Sequence, residues 1–260
     1  MQGYGEGFAA IYNMRWHQFA REAAPRILSL YEKTPLRRHC TNVLDIACGS
    51  GQLALHFLDH GYSVVGLDLS PAMLAHATAN VRDHEGHDYI AEGRARFVEG
   101  DAADFAFDER FGLVVSTFDA LNHLPDIEAL KGCFRSTYGV LEPGGLFVFD
   151  LNTRFGLSRW AGINVQEEED LVLITRGVVA EEEGRAYTQI SGFLLQEDGR
   201  YTRFGEVAYN TIFDMAEVAV ALTEAGFGSV TFAAPQALET PLDEPEDYGR
   251  VFIIAQRLEG

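Results

Sequence analysis

Apolar positions at helical spacing open the chain. Phe8, Ile11, Tyr12, Trp16, Phe19, Ile27, Leu28, Leu30 and Tyr31 predict one or two helices over 6–33, interrupted near Pro25. A short continuous apolar run over 42–47 then stops at a glycine-rich turn, the signature of a buried strand. A helix over 53–59 and a strand over 63–67 follow. Ser70 can cap the next helix, with Pro71 at its first position. Strands are predicted over 94–98 and 111–117, a helix over 126–141, and a strand over 146–151 behind the turn Glu142-Pro143-Gly144-Gly145. Strands alternating with helices make a parallel sheet covered by helices on both faces.

The pattern changes over 170–212, where apolar and polar residues alternate with no helix between the runs. Glu182-Glu183-Gly184-Arg185 and Glu197-Asp198-Gly199-Arg200 place glycine where a hairpin needs positive φ. These runs read as an antiparallel meander inserted into the α/β domain, entered through the acidic stretch 167–170. The α/β pattern then resumes. Asp214 caps a helix running to 225, Gly226 closes it, and strands over 229–233 and 251–256 are joined by a Pro-rich acidic loop. The domain expectation is therefore 1–152 with 213–260, interrupted by a β insertion over 153–212.

Composition narrows the partners. The 260 residues carry a net charge of −19. Nucleic-acid binders show a basic face and anionic membranes attract basic segments, so neither partner is expected. Cys40, Cys48 and Cys133 fit neither a disulfide framework nor a zinc motif, which points to a reducing cytoplasm. Residues 1–14 do not read as a signal peptide, and no apolar stretch is long enough to span a bilayer. His56 and His60 stand four apart, but nothing completes a metal set around them. Oligomeric state is open, a homodimer included.

The chemistry starts at Asp45-Ile46-Ala47-Cys48-Gly49-Ser50-Gly51, where a buried strand ends in a glycine loop before a helix. Glycines allow close backbone approach to a ligand, and the helix N-terminus offers unpaired N–H groups. Asp68 ends the second strand, where a carboxylate can take both hydroxyls of a ribose. These features indicate a cofactor that contains adenosine. Gly49-Ser50-Gly51-Gln52-Leu53-Ala54 also satisfies a dinucleotide pattern, so this loop alone leaves NAD open. Three features favour another cofactor: Asp45 four residues before the first glycine, Gly100-Asp101-Ala102 after the third strand, and Leu141-Glu142-Pro143-Gly144-Gly145 leading into the fifth.

In this ordered set the chain resembles the class I methyltransferases that use S-adenosylmethionine (SAM), specifically small-molecule members with a β insertion after the fifth strand. The resemblance is clearest over 42–152 and extends to Phe8-Ala9-Ala10-Ile11-Tyr12-Asn13 and to the C-terminal helix and strands. It implies a doubly wound, Rossmann-like seven-stranded sheet, an N-terminal helical cap, and an insertion that roofs the acceptor. It also implies roles. Ala47, Gly49 and Gly51 would line the methionine part of SAM, with Asp45 beside them. Asp68 would hold the ribose, Leu69 and Met73 would flank the adenine, and Asp101 and Ala102 would address its edge. Phe118 would border the sulfonium, and Tyr12 would lie over the methionine end. Each has a plainer alternative. Asp45 could bond only its own loop, Leu69, Met73, Tyr12 and Trp16 could simply pack, and Asp101 could cap a turn.

On the acceptor side, Thr117-Phe118-Asp119-Ala120-Leu121-Asn122-His123 follows the fourth strand, at the sheet edge where ligands bind. Asp119, Asn122, His123 and Asn152 could face substrate there, and His123 could serve as general base. The expected reaction is methyl transfer to an N or O nucleophile of a small molecule. A catalytically silent SAM-binding module and an NAD-dependent oxidoreductase are the alternatives.

Overall fold

In the computed structural model, residues 9, 12, 13, 16, 18–82, 84–196 and 198–259 are described. The predicted helical positions Phe8 and Ile11, and Glu197 of the second hairpin turn, lie outside them. A helix, α1 (Gln18–Glu32), runs unbroken through Pro25, contrary to the expected interruption. A helix-interior proline costs about 3 kcal/mol. The buried face of Ile27, Leu28 and Tyr31 offsets this, at about 1.5–3 kcal/mol for a fully buried large apolar side chain.

The α/β part follows the predicted order: β1 (Asn42–Ile46), α2 (Gln52–Asp59), β2 (Ser63–Asp68), α3 (Pro71–Arg82), β3 (Ala95–Glu99), β4 (Phe111–Ser116), α4 (Ile127–Val140) and β5 (Leu141–Asn152). Ser70 Oγ accepts from the Met73 N–H at 3.3 Å, with Pro71 at the first helical position as expected. β5 starts five residues earlier than predicted. Its Pro-Gly-Gly turn is absorbed as an irregularity in the pairing with β4, and Arg257 O accepts from the Gly144 N–H at 2.8 Å. After a short helix, α5 (Arg154–Ser158), four antiparallel strands form a separate sheet: β6 (Gly162–Glu167), β7 (Leu171–Ala180), β8 (Arg185–Leu195) and β9 (Tyr201–Thr211). Gly184 and Gly199 have φ of +64° and +79° at the two predicted turns. The edge strand β6 was not predicted, because its six residues are all exposed and leave no buried face to read. The chain returns through α6 (Met215–Glu224), capped by Asp214 as predicted, then β10 (Ser229–Ala234), β11 (Ala237–Pro241) and β12 (Arg250–Gln256).

The large sheet has the order β11-β10-β12-β5-β4-β1-β2-β3. β3, β2, β1, β4 and β5 pair in parallel, while β12 runs antiparallel to β5 and β10. The sheet therefore has eight strands, one more than expected. The extra strand, β11, lies within the acidic loop and pairs only along the edge of β10. Both faces are buried. Leu44, Val114, Phe147 and Phe149 pack towards α4 and α6. Val43, Val64, Leu113 and Val148 pack towards α1 and α2. No helix among the described residues is long and apolar enough to cross a membrane.

Candidate active site

Strand order reverses between β1 and β4, because the chain builds outward to β3 and then returns to the other side of β1. In doubly wound sheets ligands bind beyond the carboxyl ends of the strands at such a reversal. The residues there form two groups.

The first group comes from β1 and β2. Ala47, Gly49 and Gly51 all have positive φ, at +54°, +53° and +74°. This turn wraps back over β2, where Asp68 Oδ2 accepts from the Gly49 N–H and Oδ1 from the Ser70 N–H, both at 2.8 Å. A Cβ on Gly49 would stand 3.4 Å from the Tyr12 ring, so a side chain there would close the space between loop and ring. Gly51 is the N-cap of α2 and supplies no side-chain acceptor, so the helix dipole faces the turn unneutralised. Asp45 is 2% exposed, and its Oδ2 has no partner. Burial, and then the neighbouring Asp68, push its pKa well above the ordinary carboxylate value. Burial likewise raises Asp68, opposed by its backbone hydrogen bonds.

The second group comes from β4, β5 and β12. Phe118 and Asp119 both adopt left-handed conformations, with φ of +67° and +50°. Such residues cost of order 1–3 kcal/mol each and persist only where their surroundings hold them. Asp150, fully buried on β5, does this. Its carboxylate accepts from the Phe118 N–H at 2.6 Å and the Asp119 N–H at 2.9 Å. Arg250, at the start of β12, bonds Asp150 with Nη1 and Asp119 with Nη2. Its guanidinium lies 4.6 Å from the Phe19 ring centroid and 5.4 Å from that of Phe118. Burial disfavours the guanidinium charge, but Asp119 and Asp150 outweigh it and hold the group protonated. Asp150 is pushed up to about 6, mainly by burial, against the pull of Arg250.

His123 sits on a short 3₁₀ turn after this loop, with Nδ1 2.7 Å from the Tyr209 carbonyl of β9. A carbonyl can only accept, so Nδ1 carries the hydrogen and Nε2 is the basic nitrogen of the neutral ring. A cavity of about 580 Å³ lies between the two groups. Ala47, Gly49, Asp68 and Met73 line it below, Phe118, Asp119, His123 and Arg250 along one side, and residues of β6 with alternate residues of β7 to β9 above.

Residues 43–145 match the model of a methyltransferase domain. A dTDP-3-amino-3,4,6-trideoxy-alpha-D-glucopyranose N,N-dimethyltransferase of Streptomyces venezuelae is 28% identical over 227 residues, 86% of this chain and 89% of that one. Among solved structures, a S-adenosylmethionine-dependent methyltransferase from Clostridium acetobutylicum ATCC 824 superposes with a TM-score of 0.78 at 19% identity, covering 98% of both chains. The sugar N-methyltransferase KedS8 from Streptoalloteichus sp ATCC 53650 superposes with a TM-score of 0.76 at 22% identity, covering 100% of this chain and 96% of that one. The chain carries a methyltransferase domain, and its fold is that of SAM-dependent methyltransferases.

The methyltransferase brings some of the sequence-singled residues together and leaves others apart. Tyr12, Ala47, Gly49, Asp68, Met73, Phe118, Asp119 and His123 line the main cavity. Asp45 lines a small adjoining one with Tyr12, Ala47 and Phe118. Gly51, Leu69, Asp101 and Ala102 line neither. Asp101 Oδ1 accepts from the Ala103 N–H at 2.9 Å, a turn cap, and Ala102 is packed into the core. Asn122 does not face the cavity. Its amide bridges the Asn152 and Thr211 carbonyls and accepts from the Asn152 N–H, so its bonds tie the loop to β5 and β9. Asn152 is buried in the same network and also lies off the cavity. Sequence reasoning missed Asp150 and Arg250, which meet across 100 residues. The one available signal was an aspartate near the end of an otherwise apolar strand, Phe147-Val148-Phe149-Asp150-Leu151.

Proposed function

We propose that this methyltransferase transfers a methyl group from SAM to the amine of a small polar acceptor of the amino-sugar type. The reading rests on the shape of the cavity, in which one space has the glycine loop as its floor, the β6–β9 sheet as its roof, and His123 in its wall. The relative that acts on an amino sugar and the sugar N-methyltransferase of like fold support the acceptor class.

The residues present suit SAM. The unpartnered Asp45 Oδ2, raised by burial, is an acceptor site for a cationic amino group. Asp68 keeps lone pairs for ribose hydroxyls beyond its two backbone bonds. Met73 supplies an apolar wall, Gly49 leaves the close approach open, and Tyr12 covers it. Bound, SAM supplies a methyl group already activated by its sulfonium. The protein must align the acceptor, exclude water and dispose of one proton. Alignment alone can be worth about 7–11 kcal/mol. The roof, over 153–212, serves as the acceptor lid. His123 Nε2 takes the proton that the acceptor nitrogen loses, while the Tyr209 carbonyl holds the ring and stabilises the imidazolium through Nδ1–H. Asp119, paired with Arg250, keeps a negative charge on the wall beside it, which favours an ammonium acceptor.

The test is release of S-adenosylhomocysteine over a panel of amines, amino sugars and their hydroxyl counterparts, with products weighed by mass spectrometry. N-methylated amines are expected. Turnover confined to hydroxyl acceptors would refute the amine assignment, and binding of NAD with SAM ignored would refute the cofactor side.

A further inference from the structure

The roof contains an unexplained amide. Asn210, on β9, is 2% exposed and lines the cavity. Its Oδ1 is buried without a hydrogen-bond partner. Leaving a buried polar group unpaired costs about 1–3 kcal/mol, and native structures hold few of them. Thr188 repeats the feature on β8, with a buried, unpartnered Oγ1 on a residue that also lines the cavity. The register pairs Thr188 with Ala208 and Ala186 with Asn210, so Thr188 and Asn210 are diagonal neighbours. Diagonal neighbours on one sheet face lie about 7–8 Å apart, a span that one small ring can bridge. Ile190 and Ala208, their neighbours on the same face of the sheet, are apolar and offer these groups no bond. The neighbouring residue on β9 is Tyr209, whose carbonyl holds His123 Nδ1. One peptide therefore connects the proposed base to the unpaired amide.

We infer that Asn210, with Thr188, is the acceptor-specificity element of the roof: the pair hydrogen-bonds a hydroxyl on the carbon next to the methylated amine. Both side chains are neutral and can donate or accept, which suits a hydroxyl better than a phosphate or carboxylate. An amine at His123 Nε2 and a hydroxyl one carbon away match a base anchored on the Tyr209 carbonyl and an amide side chain on the next residue of β9. The inference rests on the amine reading above and adds the neighbouring hydroxyl to it.

The experiment uses two matched acceptor pairs: trans-2-aminocyclohexanol with cyclohexylamine, and methyl 3-amino-3-deoxyglucoside with its 2,4-dideoxy counterpart, which lacks both hydroxyls next to the amine. Wild-type enzyme should prefer each hydroxylated partner in kcat/KM by about tenfold or more. Asn210→Leu should erase that preference while keeping turnover of the deoxy amines, and Thr188→Val should reduce it. Asn210→Leu should also raise the melting temperature of the ligand-free protein by about 2–4 °C, because it removes an unpaired buried group. Asn210→Ala, which removes the same acceptor, serves if the leucine variant does not fold, and it too should lose the preference. A preference unchanged in these variants, or a leucine variant that melts lower than wild type, would overturn the role of Asn210. Wild-type turnover of both partners without preference would overturn it as well, while leaving the amine reading standing. Turnover of none of the four amines would overturn the amine reading, and this inference with it.

Discussion

Replacing Asp150 by asparagine keeps the shape of the side chain and removes its charge. The carboxylate is fully buried and accepts from two backbone N–H groups and from Arg250. A neutral amide offers one oxygen to these three donors and turns an NH2 group towards another. Hydrogen bonds to charged groups are worth about 1.5–3 kcal/mol each, and breaking a buried ion pair costs about 3–5 kcal/mol. Arg250 keeps Asp119, so we expect the lower part of that range, about 3 kcal/mol, or a fall of about 6–12 °C in melting temperature. The larger effect should fall on turnover. Phe118 and Asp119 stay left-handed because Asp150 holds both N–H groups, and a misplacement of about 1 Å near reacting groups can cost a hundredfold. Differential scanning calorimetry and steady-state kinetics read the two effects separately. The pH dependence adds a signature. With Asp150 at about 6 in the fold and 3.8 as its ordinary value, the native state holds more protons between those limits. Its contribution to stability is then fully present below about 3.8 and lost as pH rises through about 6. Activity should run the other way, falling as pH drops through 6 because the protonated carboxyl releases the turn. An Asp150→Asn variant with native turnover and an unaltered acid limb would refute this reasoning.

Three further outcomes follow from the site. Asp68→Ala should weaken SAM binding by about 1–3 kcal/mol in calorimetry, since it strands the polar groups it holds, and unchanged affinity would remove Asp68 from the cofactor site. Replacing 160–208 with a short Gly-Ser join should retain SAM binding and abolish turnover, whereas full activity in a folded deletion would show that the β sheet is not a lid. His123→Gln should lower turnover by about 10²–10⁴-fold with SAM affinity nearly unchanged, and normal turnover with an unaltered pH profile would exclude it as the base.

The cofactor side was legible because its parts are local. Strand, glycine turn and helix over 42–59 are contiguous, and Asp68 lies only 19 residues beyond Gly49, to which it bonds. The alternation over 170–212 and the two glycine turns likewise foretold β7, β8 and β9. Less visible were features made by distant chain segments. Arg250 reaches Asp119 across 131 residues, and nothing about an arginine just before the strand expected over 251–256 marks it as the bridge between two loops. β11 and β6 are edge strands with little buried surface, so they leave weak periodicity. Asn210 looks like any polar residue of an alternating strand until the register shows which face it occupies.

The two halves of the crevice also differ in how they are held, and that difference bears on their chemistry. On the β1 side, the positive-φ positions Gly49 and Gly51 are glycines, and only Ala47 stores strain. On the β4 side, two consecutive non-glycine residues are left-handed, and a buried charge network stands behind them. A glycine turn would have made the second loop without strain, but it would have removed the Phe118 ring and the Asp119 carboxylate from the cavity wall. The fold therefore spends stability to present side chains on the β4 side of the crevice and backbone on the β1 side. That division suits a cofactor recognised by loop N–H groups and an acceptor recognised by shape and charge. It also makes Asp150, which does not itself line the cavity but holds Phe118, Asp119 and Arg250 that do, the residue on which the wall's geometry depends.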